Sequence, residues 1–532
     1  MKMLTTLVAV LVAVLFGAQG ALAQQGAART PPEQLGKVHF PTSCSPAVEK
    51  QFDRAMALLH SFWAKDAIEG FIDVARQDPG CAIAYWGIAM AMQQNPLTGQ
   101  EPNSEATRNA LTGLDHAKAI GAKTQRERDY LAAIDLIYRD SDKIEFRARR
   151  LAYEKTMEAL AQRYPDDTEA AIFYALSLNM TAQLTDKTYT NQLKAAAILE
   201  RVLKQQPEHP GVAHYLIHSY DYPSIAERGL PAARLYAQIA PNQPHALHMP
   251  SHIFTRRGMW QDSIDTNLRS AAAAKAEGQE QVHAMDYLVH AYLQLGEDAD
   301  AKRVVAESAS ISVVNPAIFI GHYALAAIPA RYAVERRAWG EAIMLQPRPT
   351  PFLFPDAITH FARGLGYARS GDAASARKEE SRLAQLRDGL AQQKNTYWSN
   401  QVEVQRLAVN GWIALAQGAQ DDALKSMRAA ADLEDSMEKH IVTPCPLVPA
   451  RELLGEMLLE VRQPAEALKA FEASAQREPN RFRGVYGAAR AAALSGDRDK
   501  ARTYYAKFVA LTAKADRARP EMQLAKAYLA QR

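Results

Sequence analysis

The segment PGVAHYLIHSY, which starts at Pro210, returns 34 residues later as PHALHMPSHIF at Pro244, so that His214 and His218 fall on His248 and His252. A third segment, VHAMDYLVHAY from Val282, follows after 38 residues and sets His283 under His245, Asp286 under His248 and His290 under His252. A period in this range constrains the fold more than any single motif, because each unit buries its apolar face only against the units before and after it. Composition makes those units helical: Ala, Leu, Arg, Gln and Glu recur, and runs rich in Val, Ile and Thr are scarce. The 532 residues also exceed what one hydrophobic core serves, which suits a repeat array.

Small residues recur where helices have to approach each other. Placing Gly496 at repeat position 15 sets Ala489 at position 8 and Ala501 at position 20; placing Gly455 at 8 sets Ala467 at 20, with Pro479 ending the unit. Gly87 in AYWGIAM, Gly364 in FARGLGYARSGD and Gly411 in GWIALAQG fit the same frame. The pattern resembles the tetratricopeptide repeat, and the phrases HYLIHSYD and HALHMPSHIF resemble a group of exported bacterial proteins built from it. The resemblance implies an all-α fold, a right-handed superhelical solenoid of antiparallel helix pairs with roughly eight to ten units. It supplies a fold and no activity. The expected divisions are N-terminal repeat-like helices over 47–205, His-rich units over 206–305, irregular helices over 306–445 and a C-terminal pair of units over 446–532. Proline-rich turns such as QPRPTPFLFP lengthen the connections in the irregular part.

The start of the chain has a basic residue at Lys2, an apolar run from Leu4 to Phe16 and small residues at Ala21 and Ala23. This predicts a secretory signal over 1–23, cleaved after Ala23, a following arm over 24–46 and export to the periplasm. No later segment offers the ~18 uninterrupted apolar residues of a membrane span. In an oxidising compartment Cys44 and Cys81 are able to pair, which leaves Cys445 without a partner. A net charge of +3 argues against a nucleic-acid binder that works by bulk electrostatics.

With Gly258 and Gly296 each at position 15, positions 2, 5 and 9 hold His245, His248 and His252 in one unit and His283, Asp286 and His290 in the next. The preceding unit has Gly211, His214 and His218 there, with Asp221 at position 12. In the family these positions line the concave groove, and spacings of three and four share one helical face. Helix axes about 8–10 Å apart let imidazoles from neighbouring units converge. Imidazole with carboxylate suits a divalent transition metal, Zn, Cu, Fe or Ni, as one ion with supporting partners or as two ions. A zincin-type protease is disfavoured, because Tyr215 stands where HExxH needs its glutamate.

Asp221, Asp286 and Glu169 are the candidate proton acceptors for a catalytic metal. Arg256 and Arg331 give an anion-binding alternative, against which the two aspartates weigh. Glu452, Glu456, Arg483, Tyr486 and Arg490 fall at groove positions of the last units, where a partner peptide would lie; His440, in a turn-rich break, reads as structural. The sequence has no phosphate-binding glycine loop, no GxSxG elbow and no CxxCH haem attachment. Two functions of different kind follow: an exported scaffold whose groove takes a protein or peptide partner and binds a metal, or a metal-dependent hydrolase or oxidase acting on a small substrate.

Overall fold

Helices begin and end here for local reasons. Thr124 opens the helix Gln125–Tyr138 with a reciprocal capping box to Glu127. Proline at the first turn starts Pro210–Tyr220, Pro244–His248, Pro250–Arg256 and Pro464–Arg477, where its missing N–H costs nothing. Gly258, Gly296 and Gly496 end their helices with φ of 63°, 74° and 86°, the left-handed turn that the frame required of position 15. A Cβ on Gly487 or Gly455 would stand 2.4 or 2.7 Å from the Phe471 ring, so neighbouring helices close onto that ring only where glycine leaves room.

The computed structural model describes residues 33–275, 278–311, 315–516 and 519–531. The expected signal segment 1–23 and its cleavage point after Ala23 lie outside the described residues, as do residues 24–32 of the arm over 24–46. Among the described residues the chain is all-α, with three short 3-10 turns and no strand. Consecutive helices joined by short turns pack as antiparallel pairs, each chiefly against the one before and the one after. The apolar core follows the chain in the same order, first between Leu35 and Phe254, then Trp260 and Ile328, then Phe319 and Ala525. The Cys44–Cys81 disulfide ties the start of the array to its third helix, and Cys445 is free and buried. No helix among the described residues is long and apolar enough to cross a membrane.

Two features depart from an open groove. The late helices return to the His-rich middle: Trp260 Nε1 donates to the Asn480 carbonyl at 2.7 Å, and the Phe482 N–H to Gln294 Oε1 at 3.0 Å. The irregular segment 436–449 then runs through the interior, with Met437, Glu438, Lys439, His440, Val442 and Cys445 buried. Its Glu438 N–H donates to the Leu184 carbonyl at 2.7 Å, and Lys439 Nζ lies 3.0 Å from Asp221 Oδ2. The sequence read this stretch as a break between units; it is buried against earlier helices instead.

His440 keeps its structural reading. Its Nε2–H donates to the Thr98 carbonyl at 3.1 Å, while its Nδ1 accepts from the Val442 N–H at 3.3 Å. Burial, with a smaller push from Lys439, brings its pKa down to about 4. The fold therefore favours the neutral ring, and the unfolded chain takes the proton first, near pH 6.5. Stability from this residue is whole above pH 6.5, declines as pH falls from 6.5 to about 4, and changes no further below that. Urea unfolding of metal-free protein at stepped pH is expected to show that decline, with a shallower slope in His440→Gln.

Candidate metal centre

Spacing of four residues along a helix brings two imidazoles onto one face, and the next helix supplies a third. His214 and His218, on Pro210–Tyr220, meet His245 from Pro244–His248. His248 and His252, which flank the break at Pro250, meet His283 from Gly278–Leu295. Within each set the candidate ligand nitrogens lie within 4.8 Å of one another, and all six residues are buried. The sets are adjacent, with the His218 and His252 ring centroids 5.8 Å apart.

The hydrogen bonds decide which ring nitrogens face inward. His248 Nδ1–H donates to Asn267 Oδ1 at 2.7 Å, and that amide is oriented by its own Nδ2 donating to the Ser263 carbonyl at 2.7 Å. His252 Nδ1–H donates to Asp221 Oδ2 at 2.9 Å. With both Nδ1 protons committed, the facing Nε2 atoms, 3.1 Å apart, each present a bare lone pair. Two lone pairs at that distance repel unless a cation sits between them. In the first set His214 Nδ1–H donates to the His60 carbonyl at 2.7 Å, and its Nε2 stands 3.1 Å from His218 Nε2 and 3.2 Å from His245 Nε2. Nitrogens bound tetrahedrally at ~2.0–2.1 Å to one ion stand about 3.3 Å apart, so the His214–His218, His214–His245 and His248–His252 pairs are near ligand spacing, while His283 completes its set within 4.8 Å.

Burial and mutual repulsion favour the neutral form of five of these rings. Burial first, then the neighbouring imidazoles, push His214, His218 and His248 well below the usual histidine range. Burial takes His252 to about 4 against the opposing Asp221 charge, and His283 to about 3. Neutral imidazole is the form that ligates metals. Burial would raise the Asp221 carboxyl, but Lys439, Arg256 and His252 together hold it well below its usual range.

The structure gives the sequence candidates different places. Asp221 supports the centre from behind: Oδ2 takes His252 and Lys439, and Oδ1 takes Arg256 Nε at 3.0 Å. Asp286 is turned away, paired with Arg331 Nε at 3.0 Å, and His290 packs beside Cys445 Sγ at 3.6 Å; neither residue joins a triad. Glu169 is clasped by His60 Nε2 at 3.0 Å and His209 Nε2 at 2.9 Å. Those two rings are held at their other nitrogens too, by Tyr215 and the Val212 N–H, so this buried trio, whose ligand atoms also lie within 4.8 Å of one another, is satisfied by its own hydrogen bonds, and Glu169 is not exposed to substrate. Among the partner-groove candidates, Arg256, Arg331 and Glu452 are buried with intramolecular partners, Glu456 pairs with Arg337, Arg483 with Glu521, and Tyr486 packs on Phe508. Arg490 alone of that group is exposed.

Residues that the frame did not single out complete the site. Phe62 takes the left-handed turn position, φ 52°, and lays its ring 4.5 Å from that of His214. Gly211 fills its slot because a Cβ there would lie 2.4 Å from His60 Nδ1. His60 is held at both nitrogens and has nowhere to go, so Gly211→Ala is expected to cost about 1–3 kcal/mol in urea unfolding despite the better helix propensity of alanine. Glu280, one turn before His283, lies 3.6 Å from His245 Nδ1. A cavity of about 150 Å³ opens on His218, His245, His252 and His283, with Glu280, Gln93 and Gln279 among its other walls.

No protein-family model and no curated protein matches the sequence. Among solved structures the chain is similar to the human IFIT1 dimer with m7Gppp-AAAA, at 13% identity and a TM-score of 0.39, covering 81% of this chain and 90% of that one. The human IFIT1 dimer with PPP-AAAA is similar at 12% identity and a TM-score of 0.40, covering 81% and 91%. Likenesses this distant carry no inference about ligand or activity.

Proposed function

We propose that this protein is a metal-dependent enzyme on a helical-repeat scaffold, with one divalent transition ion in each triad, His214/His218/His245 and His248/His252/His283. The observation that carries the reading is the pair of bare Nε2 atoms of His248 and His252, fixed 3.1 Å apart by their Nδ1 partners. Three imidazoles per ion leave a coordination position free, the pattern of catalytic rather than structural zinc sites. The free position would face the cavity of about 150 Å³, room for a few small groups. An ion there would supply Lewis acidity and water activation, or electron transfer if it is Cu or Fe. Glu280 is the carboxylate best placed to accept a proton, since Asp221 is occupied by three donors.

The scaffold reading, with a peptide in the groove, is less favoured because segment 436–449 occupies the interior and most groove candidates are paired within the chain. Cobalt titration of chelator-stripped protein tests the proposal. Visible d–d absorption should saturate near two equivalents, and His248→Ala should bring that to one. A featureless titration, or one indifferent to His248→Ala, would count against it. Hydrolase and oxidase screens on the loaded protein then ask for turnover that disappears with the metal.

A further inference from the structure

A second, larger chamber of about 890 Å³ reaches His218 from the other side, sharing Thr98, Gln100, Glu101 and Ile441 with the small cavity as its partition. Its volume is in the range of sites that enclose a small organic ligand. Its charge is unbalanced. Glu101 is neutralised by Arg149 and Glu145 by Lys394, whereas among the described residues no carboxylate pairs with Arg147 or Arg150. These two guanidiniums sit three residues apart on the helix Phe146–Arg163 and face one chamber. Burial and the Arg147 charge push the Arg150 pKa down to about 10. Its Nε is buried without a hydrogen-bond partner, and so is Asn179 Oδ1 across the chamber. Arg147 is exposed and Arg150 half-buried, its Nη2 reaching only the Pro96 carbonyl at 3.4 Å and its guanidinium lying over the Phe146 ring, so neither cation meets an anion among the described residues. Orphaned buried polar atoms such as Arg150 Nε and Asn179 Oδ1 are costly, and a fold retains them where a ligand supplies the missing groups. Phe146, Phe352 and Tyr397 add aromatic wall.

We propose that this chamber binds a small organic oxyanion, a carboxylate or phosphate on a planar apolar body, with Arg147 and Arg150 clamping the anion and the aromatic side chains packing the body. Guanidinium pairs match such oxyanions in shape and charge. The position of His218 in both walls makes the chamber the approach to the metal centre, and in that respect alone the inference rests on the proposed function.

Calorimetric titration of chelator-stripped, full-length protein separates the two readings. The probes are phenyl phosphate and benzoate, with benzyl alcohol as the uncharged control. At least one anion is expected to bind tenfold or more tighter than the alcohol, and the better of the two identifies phosphate or carboxylate as the preferred group. Arg147→Gln with Arg150→Gln should remove at least tenfold of that affinity. If the double variant fails to fold, Arg147→Gln alone, at an exposed position, should weaken the anion several-fold and leave the alcohol unchanged. Anions no tighter than benzyl alcohol, or indifferent to the arginine substitutions, would overturn the proposal. Anion binding that persists in a protein unable to take up metal would leave this inference standing and sink the metal reading alone.

Discussion

Asp221→Asn is expected to weaken metal binding at the His248/His252/His283 triad by about 10–100-fold and to cost the fold about 3–5 kcal/mol. Both effects have one source. The carboxylate accepts the His252 Nδ1 proton at 2.9 Å, which leaves Nε2 bare toward the ion, and it neutralises Arg256 and Lys439 in a buried setting. An amide offers no charge to either cation, and burial with Arg256 already brings Lys439 down to about 8. Adding Lys439→Met to Asp221→Asn should recover part of the stability, because one stranded cation is gone, and none of the metal affinity. The His214/His218/His245 triad, which makes no hydrogen bond to Asp221, should keep its ion. Chelator competition reads the metal term, and urea unfolding of the metal-free proteins reads the stability term.

Arg481→Met is expected to be about as destabilising, some 3–5 kcal/mol, with no direct effect on the triads. Arg481 is fully buried; its Nε donates to Glu452 Oε1 at 2.8 Å, its Nη2 pairs with Glu335, and its Nη1 faces Cys445 Sγ at 3.5 Å. Removing it strands two carboxylates with only the more distant Arg337 and Arg483 charges in reach. Neutralising the carboxylates as well, with Glu335→Gln and Glu452→Gln, should return a good part of the loss. If the triple variant is no more stable than Arg481→Met, the loss is one of packing volume and not of uncompensated charge. Urea unfolding midpoints at a constant slope decide between them.

The histidines were legible because the repeat carries them. A 34-residue offset and the turn glycines Gly258 and Gly296 were enough to place seven imidazoles at equivalent slots of stacked helices. Six converge, and the reason the seventh does not lies outside the period. Arg331, from a later helix, takes Asp286, and Cys445 from the buried segment sits beside His290, so that end of the ladder becomes part of an ionic core. His60, His209 and Asn267 fix the geometry but occupy no repeated slot, and nothing in their local sequence separates them from ordinary helix or cap residues. Glu280 did carry a signal, since it precedes His283 by three residues and shares its face. The fate of 436–449 was the least legible feature, because burial of a proline-rich polar stretch depends on partners such as Leu184 and Asp221 that lie more than 200 residues away.

Metal content measured by inductively coupled plasma mass spectrometry, on untagged protein reconstituted with Zn, Cu, Fe or Ni and freed of loose metal, tests the central claim most directly. Two ions per chain are expected in the parent and one in His248→Ala, His252→Ala; adding His214→Ala and His218→Ala should leave none. A parent that retains no metal under any of the four conditions, or a quadruple variant that retains as much as the parent, would contradict the assignment of these six histidines as a metal centre.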